Sequence, residues 1–142
     1  MNDTVKLLRE CNAGIKMGED AIKRVMPKAK SGELRRILNE CKDEHATLGD
    51  RTHSMMLRHK SETKDPHPMA RMMSDAKICT MMTMSPSDKT IASLMTDGCN
   101  MGVKSLSKYL NQYKNASPEA KDIARKIISS ELQLEEGLRS FL

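Results

Sequence analysis

The feature that most constrains this chain is a long stretch of helical periodicity between residues 34 and 56. Mostly apolar residues recur there at steps of three and four, the spacing of one face of an α-helix. The residues on this face are Leu34, Leu38, Cys41, His45, Leu48, Thr52 and Met55. His45 interrupts the face near its middle, where an ordinary buried helix would carry leucine. The pattern predicts a long amphipathic helix that brings a polar side chain into the protein core.

Four further segments show the same periodicity, and all five prolines fall between periodic segments. Ser85 and Ser117 each precede a proline, which is the order of a helix N-cap followed by proline at the first helical position. β-branched and aromatic residues are sparse, which argues against a sheet. The sequence predicts an all-α protein with a single domain over residues 1–142. Its predicted helices cover residues 3–26, 33–60, 69–84, 87–114 and 118–142.

Connection lengths predict how these helices are arranged. Short turns join the first two long helices and the last two, so each pair is expected to form an antiparallel hairpin. The methionine-rich segment 69–84 would span about 24 Å as a helix, enough to carry the chain back along the hairpins. The prediction is a four-helix bundle of two hairpins joined by this short crossover helix, with long helices two and three parallel.

Counting from the predicted helix ends places one non-aliphatic residue of each long helix at about the same height, within about one turn. These residues are Asn12, His45, Cys99 and Glu131. Three more carboxylates lie near the predicted layer, namely Glu19, Glu44 and Glu135. Because burying an unpaired carboxylate is costly, each is expected to find a partner or to be protonated.

At these residues the chain resembles the ferritin-like superfamily, and most of all its small bacterial members of unassigned function, in register over residues 7–142. In the di-iron members, helices one and three each supply Glu, and helices two and four each supply Glu-x-x-His. The matching positions here are Asn12, His45-x-x-Leu48, Cys99 and Glu131-x-x-Leu134. Only Glu131 keeps a ligand of that motif. The resemblance therefore implies a ferritin-like bundle whose di-iron site is degenerate.

Three interpretations of the layer stay open. The favoured one is an internal hydrogen-bonded network in which Glu131 accepts from His45 and Asn12 ties the remainder. The second is a single transition-metal ion, such as zinc, held by His45, Cys99 and Glu131, since these ligand types suit zinc. The third, an intact di-iron site, is disfavoured because too few carboxylates remain.

The chain contains thirteen methionines and four cysteines, and aromatic residues are nearly absent. Thioethers are soft ligands, so one interpretation of the methionines is Cu(I) binding with His53, His59 or His67 nearby. The favoured interpretation is that the methionines pack in the core or at a subunit contact. The methionine clusters are Met55-Met56, Met69-Met72-Met73 and Met81-Met82-Met84. The cysteines contain no CxxC pair and are expected to be free thiols in a reducing cytosol. They are Cys11, Cys41, Cys79 and Cys99.

Charge and local motifs limit the remaining functional classes. The net charge of +5 comes from basic residues scattered among acidic ones, with no interleaved aromatics, which disfavours nucleic-acid binding. No secretory h-region or membrane-length apolar run is present, so a cytoplasmic protein without a membrane partner is expected. A histidine phosphotransfer domain is a minor alternative. Two features count against it, since His45 faces inward and Leu48-Gly49 stands where such domains carry Lys-Gly.

Gly98 and Gly102 lie four residues apart on one predicted helix and indicate close packing of a neighbouring helix, since each costs about 1 kcal/mol relative to alanine. The functional expectation is a non-enzymatic homo-oligomer, for example a dimer, with a binding or structural role. It is expected to have no cofactor, the single metal ion being the rival interpretation.

Overall fold

The computed structural model describes residues 2–60, Pro66 and 68–142, and every element within them is helical. This confirms the all-α class. The helices are α1 (Asp3–Val25), α2 (Gly32–Arg58), α3 (Pro68–Met84), α4 (Asp88–Gln112) and α5 (Pro118–Leu138). Short 3-10 helices follow α1 at Met26–Lys28 and α5 at Arg139–Phe141. Among the described residues, no helix is both long enough and apolar enough to cross a lipid bilayer.

Serine side chains begin two of the long helices at the carboxyl-terminal half of the chain. Ser117 caps α5 as predicted, accepting from the Ala120 N–H at 3.2 Å. The predicted cap at Ser85 is wrong, because α4 begins two residues later with Ser87 as its N-cap, accepting from the Thr90 N–H at 3.1 Å. The later start places Asp88 in the first turn of α4, where its carboxylate contacts another part of the chain.

Hydrogen bonds between helix starts and distant connections show how the long helices run. Asp88 accepts from the N–H groups of Lys30 and Ser31 at 2.8 and 2.9 Å, so α4 begins beside the start of α2. At the opposite end, Thr4 of α1 accepts from the Ser117 N–H at 2.8 Å. Helices α2 and α4 therefore run in the same direction, and α1 and α5 run opposite to them.

The four long helices pack against one another around two separate groups of buried apolar side chains. One group lies towards the connection between α1 and α2 and includes Leu34, Leu38 and Ile91. The other lies towards the connection between α4 and α5 and includes Leu8, Met56 and Ile123. His45 and Glu131 are buried but belong to neither apolar group, and along α2 and α5 they lie between residues of the two. The polar layer therefore divides the core at mid-height.

Helix α3 lies on the outside of α1 and α4 and buries Ile78 and Met82 against them. Three ion pairs hold it there, namely Arg24–Asp75, Arg71–Asp20 and Lys77–Asp97. Three of its methionines, Met72, Met73 and Met84, are each at least 67% exposed and therefore do not pack in the core, while the side chain of Met69 lies outside the described part of the structure. A core role for these three is therefore wrong, whereas contact with a second subunit remains a prediction. Met55 and Met56 are buried, as expected of α2.

Candidate functional site

The candidate site is a buried pair formed by His45 of α2 and Glu131 of α5. His45 is completely buried and Glu131 is 8% exposed. The Nε2 atom of His45 lies 3.3 Å from Oε1 of Glu131. Its other ring nitrogen, Nδ1, lies 2.9 Å from the carbonyl oxygen of Cys41, one turn earlier on α2. Both ring nitrogens therefore have an oxygen acceptor, and the ring is fixed in one orientation.

The surroundings of His45 favour its charged form. Burial alone would lower the pKa of His45, but the contact of its Nδ1 with the Cys41 sulfur, the hydrogen bond of its Nε2 to Glu131 and the negative charges that these two partners can carry outweigh burial and raise the pKa to about 10. At neutral pH the ring is an imidazolium that donates from Nδ1 to the Cys41 carbonyl and from Nε2 to Glu131. The layer thus holds an ion pair in the interior of the protein.

Two glycines make the space that this pair occupies. Gly18 of α1 faces the ring, and a Cβ placed there would lie 3.1 Å from Nε2 of His45. Gly102 of α4 faces the carboxylate, and a Cβ there would lie 2.9 Å from Oε2 of Glu131. A side chain at either position would push into the pair. Helices α1 and α4 therefore each place a glycine, with no side chain, against the pair. Such positions carry no ligand-type residue that would mark them in the sequence.

The structure brings together three of the four residues predicted to share the layer. Cys99 of α4 is 2% exposed, and Glu131 lies close enough to raise the pKa of its thiol. Burial raises the pKa of the Cys99 thiol well above its usual range, and the adjacent Glu131 raises it further. The thiol is therefore protonated at neutral pH.

Asn12 was wrongly placed at this height. The residue of α1 that faces His45 is Gly18, six positions further along and therefore about 9 Å away along the helix axis. The count from helix ends took the end of α1 and the start of α2 to be level. The predicted bounds lie within one residue of the observed Val25 and Gly32, so it is the assumption of level ends that fails. Asn12 is buried at another level of α1, 6% exposed.

The three flanking carboxylates have different surroundings. Glu19 is half-buried on α1 and its Oε1 lies beside Gly49 of α2. Glu44 is exposed and lines a cleft on the surface between α2 and α5. Glu135 is half-buried on α5, with the side-chain amide of Asn100 donating to its two oxygens at 2.9 and 3.0 Å. The carboxylate that contacts a ring nitrogen of His45 is that of Glu131, and the other ring nitrogen contacts Cys41.

Within the described part of the chain, no group of three or more His, Cys, Asp or Glu side chains is arranged to hold a metal ion. Both ring nitrogens of His45 already contact oxygen atoms, those of the Cys41 carbonyl and the Glu131 carboxylate. Of the histidines considered as Cu(I) ligands, His53 and His59 are exposed on α2 and just after it, and His67 lies outside the described residues.

Sequence reasoning missed the roles of Cys41, Ser130 and the two facing glycines. The Cys41 sulfur and the Ser130 hydroxyl each lie 3.5 Å from Nδ1 of His45. Cys41 was on the predicted buried face, but no chemistry was assigned to it. The signal for Gly102 was its cost inside a helix, which did imply close packing. Its neighbour is the Glu131 carboxylate, whereas a Cβ on Gly98 would meet nothing within 4 Å.

Because of the ion pair, the protein is expected to lose stability as the pH rises into the alkaline range. The pKa of His45 is about 10 in the folded protein and about 6.5 when unfolded. Its contribution is therefore complete below pH 6.5 and is lost as the pH rises towards 10, with a slope of up to about 1.4 kcal/mol per pH unit. The titratable groups around the ring are Glu131 of α5, Cys41 of α2 and Cys99 of α4. The residue that α1 places against the ring is Gly18.

This pH dependence can be measured by urea unfolding of the native protein and of His45→Gln between pH 6 and 10. The difference between their free energies of unfolding should shrink steadily across that range, because other groups that titrate there cancel in the difference. A difference that stays constant with pH would show that the ring is neutral.

Comparison with known proteins gives a fold relationship. No family model matches the chain, and no curated protein matches it. Among solved structures, it is similar to the crystal structure of a DUF305 fragment from Deinococcus radiodurans, with a TM-score of 0.77. The two chains share 14% sequence identity, and the alignment covers 99% of this chain and 95% of that one. At this identity the likeness shows that the two chains share a fold.

Proposed function

We propose that the chain is a ferritin-like four-helix bundle in which a His45–Glu131 ion pair has replaced the di-iron centre, and that it acts as a non-enzymatic, homo-oligomeric binding or structural protein. The observation that carries the proposal is that Nε2 of His45 and Oε1 of Glu131 lie 3.3 Å apart in the buried layer, so that the carboxylate has its partner within the protein. Gly18 and Gly102 stand against this pair where two more side chains would otherwise enter. A di-iron centre needs several carboxylates, and here one carboxylate faces an imidazolium.

The packing of the long helices supports this proposal. Helices α2 and α4 start at the same end, and α3 crosses on the outside to join the two hairpins. This connectivity is the one expected of ferritin-like chains. The exposed methionines of α3 are the surface that we assign to contact between copies, since Met72, Met73 and Met84 leave a flexible apolar face uncovered by this chain.

The experiment combines metal analysis with size determination. Protein purified without chelator is expected to contain substoichiometric iron, zinc and copper, to show no oxidation of added Fe(II), and to elute as an oligomer. Stoichiometric iron with oxidase turnover would refute the loss of di-iron chemistry. A monomer at every concentration would refute the oligomeric part, and Met72→Gln with Met73→Gln would test the assigned contact surface.

Metal binding is the alternative that one observation favours. Helix α3 exposes soft donors in the thioethers of Met72, Met73 and Met84 and in the thiol of Cys79, and such donors suit Cu(I). Titration with Cu(I) would distinguish this surface from the layer, because only the surface variants Met72→Leu and Met73→Leu should reduce binding. Zinc held by His45, Cys99 and Glu131 would instead be lost in Glu131→Gln. Phosphotransfer has no such support, because His45 is completely buried.

A further inference from the structure

A cleft on the surface between α2 and α5 leads to a cysteine that belongs to the polar layer. The cleft has a volume of about 290 Å³, and its lining includes Cys41 and Ser130. Cys41 lines the cleft but is only 6% exposed, so any reagent that reaches it must be small. Three carboxylates also line the cleft, those of Glu40, Glu44 and Glu136. The one guanidinium in the lining, that of Arg36, is already paired with Glu40 and with Glu33, which lies outside the cleft. These charges disfavour anions and leave uncharged molecules as the reagents that can enter.

The sulfur of Cys41 has the neighbours of a nucleophile. It lies 3.5 Å from Nδ1 of His45 and 3.6 Å from the hydroxyl oxygen of Ser130. His45 is in turn held by Glu131 at 3.3 Å through its second nitrogen. The Nδ1 proton is directed at the Cys41 carbonyl, so the ring acts on the sulfur through its positive charge, which stabilises negative charge that develops there during attack. The three side chains come from two helices and are fixed by burial.

We propose that Cys41 is a stoichiometric reaction site for small uncharged peroxides, independent of the function proposed above. In the reaction the Cys41 sulfur attacks one peroxide oxygen, so that an S–O bond forms as the O–O bond breaks. The sulfur is oxidised to sulfenic acid, and the peroxide is reduced. The thiol proton ends on the leaving oxygen, which departs as water or an alcohol. The product hydroxyl would lie within reach of Ser130.

The other three cysteines supply internal comparisons in the same molecule. Burial raises the pKa of Cys11 to about 12 and that of Cys99 well above its usual range, so both are protonated and shielded. Cys79 is exposed on α3 and reports the reactivity of an accessible thiol. An accessible thiol ordinarily reacts faster than a buried one. A faster reaction at Cys41 than at Cys79 would therefore require activation by its neighbours.

The test treats the full chain with hydrogen peroxide, traps sulfenic acid with a cyclic 1,3-dione, and resolves the four cysteines by peptide mass spectrometry. Cys41 is expected to be trapped about tenfold faster than Cys79, and faster still relative to Cys11 and Cys99. Trapping of Cys41 at the rate of Cys11 and Cys99, or only after unfolding, would overturn the proposal.

Variants connect the reactivity to the neighbours of the sulfur. His45→Gln is expected to slow trapping at Cys41 about tenfold and to leave Cys79 unchanged. Because His45→Gln disturbs a buried pair, Ser130→Ala is the second variant, with Ser129→Ala on the exposed side of α5 as its matched control. Ser130→Ala should slow Cys41 and Ser129→Ala should not. Equal rates at Cys41 in folded Ser130→Ala, Ser129→Ala and native protein would show that the neighbours do not activate the sulfur.

Discussion

Replacing His45 by leucine is expected to destabilise the protein by about 3–5 kcal/mol, since it leaves Glu131 buried without its partner. Adding Glu131→Met should recover most of this loss, because the uncompensated charge is then gone and a side chain of similar volume fills its place. The two substitutions together should therefore be far less damaging than their separate effects suggest. Urea unfolding followed by circular dichroism measures all four members of the cycle.

The control for this cycle is Glu44→Met, which makes the same chemical change at an exposed position of α2. It should alter the free energy of unfolding by no more than about 0.5 kcal/mol. If the effects of His45→Leu and Glu131→Met simply add, then the two side chains are not a coupled pair in the folded protein.

Alanine at Gly18 or Gly102 is expected to destabilise the protein by about 1–3 kcal/mol, although alanine favours the helix at both sites. The added methyl group would lie 3.1 Å from the His45 ring or 2.9 Å from the Glu131 carboxylate, and both of these side chains are buried. The larger effect is expected at Gly102, where three atoms of the carboxyl group lie within 3.1 Å.

Each of these glycines has a matched control one turn away on the same helix. A Cβ on Gly14 of α1 or on Gly98 of α4 would meet nothing within 4 Å. Alanine at either control should therefore stabilise the protein, by up to about 1 kcal/mol, through helix propensity alone. Thermal and urea unfolding of the four variants gives the comparison. Stabilisation at all four positions would mean that the glycines do not seat the ion pair.

The sequence predicted the helices of this chain because periodicity and proline placement are local signals. The buried face of α2 is observed residue for residue, from Leu34 through His45 to Met55. It also predicted that His45, Cys99 and Glu131 come together, since the parallel start of α2 and α4 follows from connection lengths. The cap at Ser85 failed because both Ser85 and Ser87 are competent caps, and the choice depends on where Asp88 can pair.

The site was harder to predict because height depends on connection geometry, which periodicity does not contain. Six residues separate Asn12 from Gly18, although the facing ends of α1 and α2 were predicted to within one residue. The glycines were also invisible as site residues, because their contribution is empty space against His45 and Glu131. The thiol of Cys41 read as an ordinary buried residue until its distance to the His45 ring was known.

The most direct test of the metal-free ion pair is nitrogen NMR of the His45 ring in protein purified without chelator, at pH 8. Assignment follows from loss of the signal in His45→Gln. Both ring nitrogens should carry a proton, because the pKa of His45 is about 10 and each nitrogen donates to an oxygen. A neutral ring at pH 8, or a ring nitrogen bound to a metal ion, would contradict the account.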